Sequence, residues 1–229
     1  MNLREALLQS EKPTHQFHDG DSLAWLGANR AKVLSKNYQL PNQVIKVVEA
    51  INPWLWPDDS WFTDTLICNG IHGYRHNCRV AIHAMYLAVQ NYDLSVDELM
   101  AIMFASLLHD CRRENDNADT GHGLRAANWL NEHGDILPKD IQGFLEHIKF
   151  AIAVHSDSYN EIVKGHVYAK FGSFVDILKT ADSLDRFRFP RADWWFLAKF
   201  VKLIPTEEHF GRYPINCNKG RNQFMLGSI

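Results

Sequence analysis

Along most of the chain apolar residues recur at steps of three and four, while strict alternation over a strand's length is scarce, so the pattern predicts helices and very little sheet. Helices are expected at about 21–37 and 41–51, where Pro41 suits an opening turn. The segment NPWLWPDD then interrupts the pattern with two prolines. A helix over 73–91 would carry His76, Val80, His83 and Leu87 on one face. Ser95 and Glu98 form an S-x-x-E capping box ahead of an apolar run ending in SLLHDC, which puts His109 and Asp110 at the end of a buried helix. The polar stretch CRRENDNADTGHG reads as a loop into a helix at 122–133, with Gly134 as its stop. Beyond Pro138, Ile141, Leu145, Ile148 and Ile152 mark a further face that runs on to His155. A helix at 172–185 sets Val175, Leu178 and Asp182 on one stripe, another is expected at 192–203, and the last two dozen residues read as an irregular tail.

Composition narrows this to an all-α chain with one core. Its 229 residues are 46% hydrophobic, enough for one domain over 1–229: a core at about 70–190, a helical extension at 1–69, and a C-terminal helix and tail at 191–229. A net charge of -3 gives no electrostatic footprint for nucleic acid or an anionic membrane, so any phosphate recognition must be local. Cys68, Cys78, Cys111 and Cys217 form no C-x-x-C pair and read as reduced thiols. The opening MNLREALLQSEK lacks a signal peptide's apolar run, and no stretch has the length of apolar sequence that a membrane span needs. A cytoplasmic protein is therefore expected.

The chemistry lies in His76, His109, Asp110, His122, His155 and Asp182, each on an inward face or beside a helix end. Aspartate is rarely buried unless paired or bound to metal, so Asp110 in LLHD and Asp182 in LKTAD, both joined to apolar runs, need partners. Imidazole nitrogen and carboxylate oxygen together suit zinc, iron, manganese and other divalent ions. The spacings of 33, 13, 33 and 27 residues from His76 through His109, His122 and His155 to Asp182 are helix-plus-loop separations, unlike compact zinc motifs.

Over residues 70–190 the ordered pattern resembles the HD-domain superfamily of metal-dependent phosphohydrolases. His76 in GIHGYRHNCRV matches the family's first histidine, His109-Asp110 in SLLHDCRREND its doublet, and Asp182 in LKTADSLDRFR its final aspartate. The resemblance implies a compact HD-domain helical bundle with additional N- and C-terminal helices, in which these four side chains bind one metal. His122 and His155 stand where two-metal members carry two more histidines, with Asp110 bridging the ions. It further implies a hydrolase that cleaves a phosphomonoester or phosphodiester of a small, nucleotide-like substrate with two divalent ions (iron, manganese, zinc or magnesium). Two alternatives stay open: the same six ligands resemble those of myo-inositol oxygenase and related di-iron oxygenases, and a helical nucleotide-binding module without turnover is the non-enzymatic reading.

His72 would share the face of His76 if the helix starts early enough, and within the family such a histidine contacts substrate phosphate or stands behind the ligands. Arg112 and Arg113 either reach a metal-held oxyanion, for which the guanidinium fork is suited, or form a solvated pair, and R-x-x-D-x-x-D-x-x-H-G resembles the loop after the doublet in some family members, which favours Arg113. Asp116 and Asp119 orient His122 or cap the next helix, with capping expected of Asp119. Arg186, Arg188 and Lys179 extend an anion-binding wall or pair at the surface. Trp54, Trp56, Trp61, Trp194 and Trp195 offer rings on which a nucleobase could stack, although such residues more often pack a core.

Overall fold

A computed structural model of the protein describes residues 57–186 and 201–203, with Asn42, Ile45, Lys46 and Glu49. The chain divides into two compact units, one of Leu40–Asp185 with Phe200–Leu203, the other of Met1–Gln39, Arg186–Lys199 and Ile204–Ile229. Every described residue except Arg186 belongs to the first. Most of the expected extensions at 1–69 and 191–229, including the helix at 21–37, thus lie outside the described residues, as do Trp54, Trp56, Arg188, Trp194, Trp195 and Cys217.

Among the described residues every regular element is helical: α1 (Thr65–Asn69), α2 (Tyr74–Asn91), α3 (Val96–Leu108), α4 (His122–Glu132), α5 (Leu145–Val154), α6 (Tyr159–Ile162) and α7 (His166–Asp185), joined by short 3-10 turns. None is long and apolar enough to cross a membrane. Asn42, Ile45, Lys46 and Glu49 are helical, as the segment 41–51 predicts. The helix starts are chemically defined. Ser95 opens α3 with the expected capping box, its hydroxyl accepting from Glu98 N at 3.2 Å while Glu98 accepts from Ser95 N at 2.8 Å. Asp64 caps α1, accepting from the amides of Leu66 and Ile67 at 2.7 and 2.9 Å.

Three boundaries differ from expectation. Helix α7 begins six residues earlier than position 172, because Gly172 sits inside it rather than starting it. Residues Lys139–Phe144 form a 3-10 turn before α5, so the apolar stripe of Ile141 and Ile148 crosses a change of helix type. Residues 201–203, the end of the helix expected at 192–203, are not helical.

Helix α3 is apolar all round and lies in the centre, with Ile102, Met103, Phe104, Leu107 and Leu108 fully buried. Helix α2 packs on α3 and α7, and α5 packs on α3, α4 and α7. Two glycines set how closely elements approach. A Cβ on Gly73 would lie 1.9 Å from the Cys68 carbonyl oxygen at the end of α1, and one on Gly123 would lie 2.5 Å from Ile152 O in α5. Cys68, Cys78 and Cys111 are buried thiols. Trp61 is a core residue against Phe104, with ring centroids 6.4 Å apart, which is the packing role for that ring rather than a nucleobase platform.

Because the α4–α5 spacing rests on the missing Cβ, Gly123→Ala is expected to cost ~1–3 kcal/mol of stability by forced overpacking. A thermal melt with an unchanged midpoint would show that the two helices can separate freely.

Candidate metal centre

The histidines and aspartates singled out above come from widely separated positions but all stand at helix ends. His76 is in the first turn of α2, His109 and Asp110 follow α3, His122 starts α4, His155 follows α5, and Asp182 lies in the last turn of α7. The last carbonyls of a helix have no partner within it, and two of the histidines use this in the same way. His109 Nδ1 donates to Ser106 O at 2.7 Å, and His155 Nδ1 donates to Ile152 O at 2.7 Å, each three residues back. His122 Nδ1 donates to the Asp119 carbonyl, and His76 Nδ1 to the Asp185 carboxylate at 2.7 Å.

A neutral imidazole has one donor and one acceptor nitrogen. With all four Nδ1 atoms facing acceptors, each ring carries its proton there and turns an Nε2 lone pair inward. His76 Nε2 and His109 Nε2 are 3.2 Å apart, and His122 Nε2 and His155 Nε2 are 2.9 Å apart. Between the pairs lies Asp110, 2% exposed. Its Oδ2 is 3.5 Å from His76 Nε2 and 3.6 Å from His109 Nε2, while its Oδ1 is 3.0 Å from His122 Nε2 and 3.6 Å from His155 Nε2. Asp182 Oδ1 adds a further oxygen 3.3 Å from His76 Nε2.

Lone pairs and carboxylate oxygens thus converge, with Arg113 Nη1, 3.5 Å from Asp110 Oδ1, as a cationic donor at one edge, and such a set of acceptors is suited to a cation. Ligands ~2.0–2.1 Å from one ion stand about 2.9–3.4 Å apart, which is the spacing of both imidazole pairs. The buried groups His76–His109–Asp110 and Asp110–His122–His155, sharing Asp110, could hold metal ions.

The titration behaviour has the same origin. Burial alone would raise the Asp110 carboxyl, but His109 beside it and His122, His155 and His76, which donate to it from Nε2 when they are protonated, hold it well below the usual carboxylate range. Asp182 is only half-buried, and the desolvation that opposes its ionisation is outweighed by His76 and His109, which lower its carboxyl. His109 is driven the other way: with 0% of its surface exposed, burial takes it down to about 3, so it stays neutral at physiological pH. His122 is raised despite burial, because it hydrogen-bonds to Asp110.

The remaining expected residues divide. Arg113 joins the cluster: it is 7% exposed, and its Nη1 is 3.5 Å from Asp110 Oδ1 and 3.4 Å from both ring nitrogens of His122. Its Nε and Nη2 are fixed by the carbonyls of Asn115 and Asn117 at 3.2 and 2.7 Å. His72 precedes α2 instead of sharing its face with His76, yet its ring meets that of His76 edge-on at 5.9 Å. Asp116 accepts from His72 Nδ1 at 3.0 Å, so it orients His72 and not His122.

Arg112 turns elsewhere, donating to Trp61 O at 3.0 Å and lying 5.2 Å from the centre of the Trp129 ring. Arg186 is exposed and belongs to the second unit. Asp119 does not cap α4, which has Gly121 as its N-cap residue and no side-chain cap; its carboxylate binds Glu114 N at 2.9 Å and Arg125 Nη2 at 2.5 Å. Lys179 is buried and donates to the carbonyls of His155 and Asp157 at 2.7 and 2.6 Å, so it finishes α5 rather than binding anions or pairing at the surface.

Asp185 and Arg79 belong to the site without having been expected there. Their signals in the sequence were weak: Asp185 lies one turn after Asp182, and Arg79 one turn after His76.

For the metal-free protein, the depressed His109 fixes the sign of one pH effect. Below about pH 6.5 an unfolded chain protonates this histidine while the fold refuses the proton until about pH 3, so stability falls with acid by ~1.4 kcal/mol per pH unit for that proton. His122 acts oppositely, its stabilisation being present at low pH and lost as pH rises through its raised pKa. Melting temperatures from pH 6.5 to 4 for wild type and His109→Gln isolate the His109 contribution. The variant should show the shallower slope, and identical slopes would contradict a neutral, buried His109.

No family model, curated protein or solved structure matches the chain.

Proposed function

We propose that this chain is a metal-dependent phosphohydrolase of the HD-domain type, cleaving a phosphomonoester or phosphodiester of a small, nucleotide-like molecule. Asp110 carries the reading: one buried carboxylate presents Oδ2 to His76 and His109 and Oδ1 to His122 and His155, as the shared ligand of a two-ion site would. His76, His109, Asp110 and Asp182 would hold the first ion, and Asp110, His122 and His155 the second. Such ions, when bound, supply a hydroxide nucleophile near neutral pH and neutralise charge on the phosphoryl oxygens.

The protein's own contribution is orientation and charge. Carbonyl and carboxylate acceptors behind the four Nδ1 atoms fix which nitrogen each imidazole presents. Arg113, held on two of its nitrogens by the Asn115 and Asn117 carbonyls, keeps Nη1 beside Asp110 and His122, where it can donate to a phosphoryl oxygen. Asp116 engages His72 Nδ1 and leaves Nε2 to accept a hydrogen bond from a hydroxyl of the substrate. This buried guanidinium favours an anionic substrate over the di-iron oxygenase alternative, which the ligand set by itself does not distinguish.

The test is metal analysis together with phosphate release from a panel of nucleotides and other phosphoesters, under anaerobic conditions with manganese. Turnover there supports hydrolysis. Strict dependence on iron and oxygen would support the oxygenase, and tight nucleotide binding without product the binding module. Asp110→Ala should lose both bound metal and turnover, and full phosphatase activity in that variant would refute the assignment. Arg113→Met should keep its metal yet lose ~100-fold or more in rate, the worth of one positioned donor to transition-state charge.

A further inference from the structure

The four candidate imidazole ligands are not supported equally. Behind His109, His122 and His155 stand main-chain carbonyls, of Ser106, Asp119 and Ile152. Behind His76 stands a carboxylate: Asp185, the last residue of α7 and 2% exposed, accepts from Nδ1 at 2.7 Å. Arg79, one turn beyond His76 on α2, clamps that carboxylate through both oxygens, Nε to Oδ1 at 2.7 Å and Nη2 to Oδ2 at 3.1 Å. Asp185 is therefore fixed in position while it holds the His76 tautomer. A carboxylate behind Nδ1–H, although Arg79 shares its charge, makes Nε2 a stronger ligand than a carbonyl dipole can, and such outer partners weigh on metal affinity almost as the ligands do.

The opposite bias acts on the other group. Arg113 brings a cation to 3.5 Å from Asp110 Oδ1 and 3.4 Å from the His122 ring nitrogens, where it opposes a second positive ion. The first group also has Asp182 beside His76, an additional oxygen.

We propose that Asp185, clamped by Arg79, is a positioning residue that makes His76–His109–Asp110 the tighter of two metal sites, so that the chain loads its ions in order with this group first. The proposal rests on the metal reading above and goes beyond it by ranking the sites and naming what ranks them.

Calorimetric titration of the metal-free full-length protein with Mn²⁺ tests it, with circular dichroism to confirm folding of each variant. Wild type should bind in two steps of distinct affinity. In a His122→Ala background, which keeps the first group, Asp185→Asn should weaken binding about 10–100-fold. In a His76→Ala background, which keeps the second, the same change should leave affinity within about twofold. A folded Asp185→Asn protein with unchanged first-group affinity, or with equal losses in both backgrounds, overturns the proposal, as do two equal affinities in wild type. If Asp185→Asn does not fold, Arg79→Met replaces it: a several-fold loss confined to the first group is expected, and no loss overturns the proposal. A wild-type protein that binds no Mn²⁺ at all overturns the underlying metal reading instead, so the two failures are distinguishable.

Discussion

Four imidazole nitrogens and a shared carboxylate, all on buried residues, face one another, and the rest of the described structure accommodates that fact. Carboxylates are costly to bury alone, and inward-facing lone pairs repel. Asp110, nearly without exposed surface, is ringed by His76, His109, His122 and His155, and the Arg113 guanidinium stands 3.5 Å from its Oδ1. The same crowding holds Asp110 and Asp182 ionised while it keeps His109 neutral. Acceptor groups gathered this densely, with Arg113 as the cation among them, are suited to hold metal ions.

The fold meets this demand at helix ends, where backbone groups are already short of partners. The last turns of α3 and α5 each offer a carbonyl to the histidine that follows, so one bond both finishes the helix and aims the ring. Lys179 continues this at α5 by taking the carbonyls of His155 and Asp157. The segment between α3 and α4 is tied down by its own polar groups: Arg125 binds Arg112 O at 3.1 Å and the Asp119 carboxylate, and Thr63 hydrogen-bonds the Arg113 carbonyl. A buried arginine can then be held next to a carboxylate without collapsing into a simple ion pair, since two of its three nitrogens are engaged by carbonyls.

Not every charged residue near the doublet takes part. Arg112 and Arg113 are neighbours in sequence, yet Arg112 rests on Trp61 and Trp129 while Arg113 faces Asp110. Asp116 and Asp119 likewise separate, one to His72 and the other to Arg125. In a turn-rich segment successive side chains leave in different directions, so position next to a motif says little about which of them reaches the site.

The sequence by itself determined the helical class, the apolar character of α3, the Ser95–Glu98 cap and the placement of His109 and Asp110 just past a buried helix. These are local properties, encoded in periodicity and in residue types at fixed offsets. It also implied that Asp110 needed partners, and the order of His76, His122, His155 and Asp182 named them. Only the tertiary structure decided which oxygen of Asp110 serves which pair, and that Asp185 and Arg79 stand behind His76. Those contacts span 109 and 106 residues. They depend on how α2 packs against α7 and on side-chain direction at the helix ends, neither of which leaves a period along the chain. Gly172 shows the converse: it resembles a helix start locally, and packing carries α7 straight through it.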